Sequence, residues 1–216
     1  MKKTKEENQF NWDSISISKY YDIMDIINDE GDDDMTKNVK IVSIILGIPE
    51  DEVWDMELSK AGEYISRLQF LGKFELPKIK NLKFNLPGYE LEVIKDLNKI
   101  NVAQYVDFQN FVKLPLRDGI EKLLSIFLIP VGHKYNDGYD ILDLQQTIRE
   151  CMSFRVAEGL LGFFLRKYSR LLLHSLVYCR RQIRKTKKKE LTERWMKMEE
   201  ETLEKIQGLT HLIGCS

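Results

Sequence analysis

Two stretches of the chain carry residue types that could do chemistry. The first is Val131 to Asp140 (VGHKYNDGYD), where His133, Tyr135, Asp137 and Asp140 fall within eight residues. An imidazole among carboxylates and phenols could serve general acid–base catalysis. Asn, Asp and Gly are also turn residues, and their side chains then satisfy the loop's own backbone. The turn reading fits better, because no GxSxG, Walker A, GxGxxG or H-E-x-x-H pattern accompanies the loop.

The second stretch is Arg180 to Lys189 (RRQIRKTKKK). Arg180, Arg181, Arg184, Lys185, Lys187, Lys188 and Lys189 place seven positive charges in ten residues. At about 3.6 residues per turn they wrap a helix rather than form one stripe. Such a collar suits a solvated stem or an acidic protein surface. It could also contact a phosphate backbone without sequence specificity, or an anionic lipid. Stacking on single-stranded bases would need interleaved aromatics, and Trp195 lies beyond the collar.

Metal chemistry has weak candidates. Asn28 to Asp34 (NDEGDDD) is rich in carboxylates, but it lacks the alternate ligand positions and final Glu of an EF-hand. It reads as a solvated acidic turn. His133, His174 and His211 are far apart, and His174 lies in a Leu-rich run where a core or interface role is expected. Cys151, Cys179 and Cys215 form no CxxC pair, and their odd number argues against a disulfide framework. No catalytic residue, cofactor or metal is expected, and folding in a reducing compartment is.

Composition bounds the rest. The chain has 216 residues, 43% hydrophobic and 31% charged, as globular proteins do. The net charge of −1 hides a polarity: residues 1–150 sum to −8 and residues 151–216 to +7. This favours head-to-tail contact between copies, or an anionic partner for the C-terminal part. The N-terminus has no apolar run to make a secretory signal. Leu160 to Tyr178 (LLGFFLRKYSRLLLHSLVY) is interrupted by Arg166, Lys167 and Arg170. Each charge would cost about 2.5–3.5 kcal/mol at the bilayer centre, so no membrane span is expected.

The elements follow from periodicity and punctuation. Residues 1–11 read as a disordered tail, and Trp12 to Ile17 as a short extended lead-in. Ser18 is the expected cap of a helix to Asn28, with Tyr21, Met24 and Ile27 on its inner side. A second helix is expected from Thr36 to Leu46, stopped by Gly47. A third starts at Pro49, and a fourth runs from Ser59 to Leu71, ending at Gly72. Residues 12–72 thus form an N-terminal helical unit. Leu82, Phe84 and Leu86 alternate with polar residues, as do Tyr89, Leu91 and Val93. Pairing Leu86 with Tyr89 around Pro87-Gly88 puts all six on one face of a hairpin, with a type II turn; a wider loop is the alternative, because hairpins prefer primed turns. Asn101 and Gln104 form a capping box for the next helix, in which Val102, Tyr105, Val106, Phe108, Phe111 and Val112 are expected to be buried to varying degrees. A helix from Leu116 to Phe127 precedes Pro130, and Asp140 caps another to about Met152. Residues 73–152 are therefore a hairpin plus helices, expected to pack with the first unit.

Ser153 caps a long basic C-terminal helical segment, residues 153–216, as one helix or two joined near Thr186. Phe163, Phe164, Tyr168, Leu172 and Leu176 belong to an apolar surface wider than one helix face can hide. An exposed remainder would drive self-association or docking, with core burial as the alternative. With the basic collar, these are the candidate interaction residues. The fold class is mainly α with a minor β component: a helical bundle, one small hairpin and a long C-terminal helix.

Three stretches resemble small proteins from the structural-gene region of tailed phages, notably crAss-like phages of gut Bacteroides. They are ISISKYYDI…KNVKIVSIILGIPEDEVWDM, LPGYELEVIKDLNKINVAQYVDFQNF and LLSIFLIPVGHKYNDGYD…GLLGFF, together covering about residues 15–164. They are also similar to tail assembly chaperones and minor virion proteins of such genomes. The resemblance implies virion or virion-assembly work without catalysis, in the particle or in the host cytoplasm during assembly. Some such proteins are packaged and ejected with the DNA. Partners would be other phage structural proteins or further copies of the chain, with non-specific DNA contact as the alternative role for the collar.

Overall fold

A computed structural model describes residues 9–169 except 78, 81, 95, 97 and 98. Its contacts divide the chain into one unit of residues 1–94 and 101–159, and a second of residues 95–100 and 160–216. The segments read separately as 12–72 and 73–152 fall largely within the first unit. The fold is mainly helical with a small three-stranded antiparallel sheet.

The first helix, α1, runs Ile17–Asn28 and is capped by Ser16, whose hydroxyl accepts from the Lys19 N–H. Serines stand at positions 14, 16 and 18, so sequence alone leaves the cap two residues late at Ser18. Tertiary pairing decides it. Ser16 bridges Ser153 antiparallel, the Ile17 N–H donates to the Met152 carbonyl, and the Phe154 N–H donates to the Ile15 carbonyl. Ile17 and Ile23 are the buried residues of α1, whereas Ile27, expected inward, is 41% exposed. Residues 9–11 also depart from the expected tail. Phe10 stacks on Tyr64 at 5.5 Å, and the Asn11 side chain accepts from the Asp13 and Ser14 N–H groups.

Helix α2 (Asp34–Leu46) starts two residues earlier than periodicity suggests, because Asp33 caps it through the Thr36 N–H. Gly47 ends it at φ 69°, the left-handed conformation that only glycine adopts without steric cost. Helix α3 (Glu50–Trp54) follows Pro49. Helix α4 (Leu58–Arg67) passes into a 3₁₀ turn, Leu68–Gly72. Ile15, Ile23, Val39, Val42, Ile45, Val53, Tyr64 and Leu68 share the core of this segment.

Strands β1 (Lys83–Leu86) and β2 (Tyr89–Val93) pair with Leu86 opposite Tyr89, the expected register. Gly88 has φ 79°, as the second central position of a type II turn requires. Leu82, Phe84, Leu86, Tyr89, Leu91 and Val93 are all buried or half-buried, and the intervening residues are exposed. Helix α5 (Val102–Phe111) opens with the full Asn101–Gln104 capping box. Gln104 is buried, and its amide also donates to the Ile126 carbonyl at 2.8 Å. Helix α6 (Leu116–Phe127) leads directly into β3 (Leu128–Pro130), which pairs with β2 and extends the hairpin into a sheet of order β1-β2-β3.

Asp140 caps helix α7 (Ile141–Cys151) through the Leu142 and Asp143 N–H groups. The next helix, α8, occupies 154–169 of the described residues, with the Ser153 hydroxyl accepting from the Val156 N–H. The expected continuation of this helix, and the joint near Thr186, lie outside the described residues. Gly159 of α8 meets the 74–80 segment: a Cβ there would stand 2.8 Å from Pro77 Cγ and 3.0 Å from Ile79 Cδ1. Glycine to alanine in a helix ordinarily gains about 1 kcal/mol. Here the rigid Pro77 ring cannot swing aside, so Gly159→Ala should lower the urea midpoint instead of raising it. A rise would mean that the 74–80 segment yields freely.

Candidate functional site

The His133–Asp140 loop is ordered by its own groups. His133 Nδ1 lies 3.3 Å from the Asp137 carbonyl oxygen, and its ring meets Tyr139 edge-on at 6.0 Å. Tyr135 is buried and donates to the Asp107 carboxylate of α5 at 2.8 Å. Asp140 is engaged at the start of α7. The four candidate side chains thus do not converge on one another: of the other three, His133 meets only the Asp137 backbone, and each contact holds a turn or joins two elements. Asn136 at φ 55° and Gly138 at φ 81° give the loop its tight return, and the His133 ring lies where a Cβ on Gly138 would project.

The acidic 28–34 turn is also built from caps and pairs. Asp29 accepts from the Gly31 N–H, Asp33 caps α2, and Asp32 pairs with Lys40. Among the described residues, no group of three or more His, Cys, Asp or Glu side chains is arranged to hold a metal ion. Cys151 is free and exposed.

Aromatic side chains gather where the chain's early and late segments meet. Tyr20 stacks on Phe154 at 3.5 Å, Trp12 meets Phe74 edge-on at 4.7 Å, and Trp12 Nε1 donates to the Phe70 carbonyl at 3.0 Å. Beside them is an open cavity of about 220 Å³ lined by Trp12, Phe70, Lys73, Glu75 and Arg155. Arg155 donates from Nε to the Glu75 carbonyl at 3.0 Å and from Nη1 to Asp13 at 3.3 Å. Its guanidinium thereby ties the 74–80 segment to the N-terminal turn.

A second polar cluster lies between α1, α6 and α7. Arg117 forms a two-pronged pair with Asp25, and its guanidinium stands 5.6 Å from the centre of the Tyr21 ring. Glu121 is 6% exposed, with Oε2 3.5 Å from Arg149 Nη1. Neither Glu121 Oε2 nor the Tyr21 hydroxyl makes a hydrogen bond among the described residues. No sequence signal marks Glu121 as buried, since charged residues at helical spacing ordinarily face water.

Five phenols in this unit, Tyr20, Tyr21, Tyr89, Tyr135 and Tyr139, are held above their ordinary range, Tyr20 and Tyr139 chiefly by burial. Burial, with the nearby Tyr20 and Glu121, pushes Tyr21 up to about 12 against the pull of Arg149 and Arg117. Its hydrogen bond to Asp143 pushes Tyr89 up to about 12, and burial with the Asp107 bond pushes Tyr135 up. A phenol raised above its unfolded value of about 10 favours folding fully below that pH. The contribution is lost as pH rises through the folded value. Stability should therefore fall between about pH 10 and pH 12. Phenolate absorbance near 295 nm should lag behind that of free tyrosine and then rise together with loss of far-UV circular dichroism. Free-tyrosine titration of every phenol with the fold intact would contradict this.

Of the candidate interaction residues, Phe164 and Tyr168 are buried and Phe163 is half-buried. Phe163 meets Phe164 edge-on at 5.3 Å, and the Lys167 ammonium stands 4.7 Å from the centre of the Phe163 ring. Leu172, Leu176, Arg180, Arg181, Arg184, Lys185, Lys187, Lys188 and Lys189 lie outside the described residues. Three apolar positions expected to be buried are exposed instead. On α5, Val102, Tyr105 and Val106 are 80%, 45% and 49% exposed, while Phe108 is buried on another side. The spacing 102, 105, 106 marks one helix face, and its exposure was masked by the buried Phe108 and half-buried Phe111 of the same helix. No helix of the described residues is long and apolar enough to cross a membrane. Comparison with known proteins finds no matching family model, curated protein or solved structure.

Proposed function

We propose that the chain is a non-enzymatic protein that makes protein–protein contacts in a tailed-phage particle or its assembly pathway. It acts there as a structural component, as cargo ejected with the genome, or as a tail assembly chaperone. The observation that supports contact-making is the apolar face of α5. Val102, Tyr105 and Val106 stand in water on one side of a helix whose other side is anchored by Phe108 and Gln104. Covering such a face gains about 25 cal/mol per Å² of apolar surface. The phage setting rests on the resemblance of the three sequence blocks.

The test is incorporation. Val102→Lys with Val106→Lys alters exposed positions only, so the chain should keep its circular dichroism spectrum. Particles assembled with this variant should contain several-fold fewer copies than wild type. Equal copy numbers would remove α5 from the contact. The seven positive charges in residues 180–189 support a second reading, a nucleic-acid-binding protein. That reading expects duplex-DNA affinity that falls steeply with salt and is lost when Arg180, Arg181, Arg184 and Lys187 to Lys189 are neutralised. Affinity at background would remove it.

A further inference from the structure

Among the described residues, the N-terminal helices leave a large apolar pair exposed. Two large apolar side chains, Trp54 at 51% and Leu58 at 80% exposure, stand four residues apart at the junction of α3 and α4. Carboxylates surround them in sequence. Glu50 and Asp51 lie one turn before Trp54, and Asp55 and Glu57 separate it from Leu58. The 29–34 turn comes near the start of α3. Lys40 of α2 pairs with Asp32 and also feels the charges of Glu50 and Asp29. Residues 22–57 hold twelve acidic side chains against two lysines, and all the acidic ones but Asp32 are exposed. This short stretch is more negative than the whole of residues 1–150, whose net charge is −8.

The complement is in the same sequence. Residues 151–216 carry a net +7, with seven positive side chains concentrated in 180–189. We propose that the acid-rimmed Trp54–Leu58 face docks a second copy of the chain through that copy's Arg180–Lys189 stretch. An indole in a carboxylate rim suits a basic stretch that contains arginine. The ring face attracts a guanidinium, the rim neutralises the remaining cations, and Leu58 covers the aliphatic stems. Face and tail are different stretches of the chain, so each contact leaves a free face on one copy and a free tail on the other. Such heterologous contacts build chains or rings instead of two-fold dimers. The inference rests on the reading of the protein as contact-making, and is independent of the phage setting.

Sedimentation of the full chain tests it. At about 0.05 M salt the mass should rise with concentration, and at about 0.5 M it should return to monomer as screening shortens the reach of the charges. Trp54→Ala should weaken self-association by about tenfold or more, as loss of a central aromatic anchor does. A charge swap then fixes the geometry. A face variant (Glu52→Lys, Asp55→Lys, Glu57→Lys) and a tail variant (Arg180→Glu, Arg184→Glu, Lys187→Glu, Lys188→Glu) should each be monomeric alone and fold normally by circular dichroism. Mixed, they should co-assemble in equal proportion, because the wild-type tail of one fits the wild-type face of the other and the two reversed surfaces are also complementary.

A wild-type chain monomeric at both salts overturns the proposal, as does a mixture no heavier than its components. Self-association indifferent to both variants also overturns it. A monomer that shifts only with duplex DNA assigns the tail to nucleic acid instead. None of these outcomes bears on incorporation through α5, so the two proposals fail separately.

Discussion

Arg149→Met should destabilise the protein by about 3 kcal/mol, toward the lower end of what breaking a buried ion pair costs. Glu121 sits on α6 with 6% of its surface exposed, and Arg149 Nη1 at 3.5 Å is its counter-charge. Its Oε2 makes no hydrogen bond among the described residues, so the guanidinium's field is what compensates that oxygen. Methionine keeps much of the arginine stem's packing but leaves the carboxylate buried without its partner. The lower end applies because the Arg149 side chain is 28% exposed and water reaches part of the pair. Arg149 also donates to the Arg117 carbonyl at 3.2 Å, which adds a modest loss. Glu121→Met in the Arg149→Met background should recover most of the stability, since an apolar pair of similar size replaces a charged one. Urea unfolding of the three proteins checks this. A double variant no more stable than Arg149→Met would contradict the assignment of the loss to the buried charge.

Phe127→Ala should cost about 3–5 kcal/mol, the range for emptying a buried phenylalanine site. Phe127 is 1% exposed at the junction of α6 and β3, and its ring meets Phe108 of α5 edge-on at 5.7 Å. Its carbonyl accepts from the Ile94 N–H at 2.9 Å, just after β2 ends. The ring therefore fills space between α5 and the junction of α6 with β3, where Gln104 also ties α5 to the Ile126 carbonyl. In a chain of this length the melting temperature should drop by about 10 °C. Phe127→Leu, which refills most of the volume, should recover more than half of the loss. Equal losses for alanine and leucine would mean that the ring's contact with Phe108 matters more than its volume.

Local rules were legible in the sequence wherever one residue type had one physical solution. Gly47 could end a helix only in a left-handed conformation. Asn101 with Gln104 formed the reciprocal cap, and alternation of six apolar residues around Pro87-Gly88 pointed to the register that the hairpin adopts. What the sequence hid depended on distant partners. Ser14, Ser16 and Ser18 are equivalent caps until Ser153 pairs with Ser16. Strand β3 is three residues long, follows a helix without a break and is buried throughout, so it shows neither alternation nor a turn signal. Glu121 reads as a surface residue until α7 brings Arg149 to it.

The same holds for the interaction surfaces. Phe163, Phe164 and Tyr168 stand out in the sequence because they are bulky and clustered, yet Phe164 and Tyr168 are covered. Val102, Trp54 and Leu58 are ordinary helix residues, and only the packing of the remaining elements leaves them in water. Apolar content in a sequence measures what must be covered, whereas the fold decides what is left uncovered.

If the proposed role holds, a tailed phage carries this sequence, and quantitative mass spectrometry of its purified particles, before and after DNA ejection, tests that role most directly. The expected result is a constant number of copies per particle, retained by a structural component or lost with the genome by ejected cargo. Absence from particles with abundance in infected cells, bound to a tail protein, identifies an assembly chaperone. Absence from both particles and assembly intermediates would contradict a virion or assembly role.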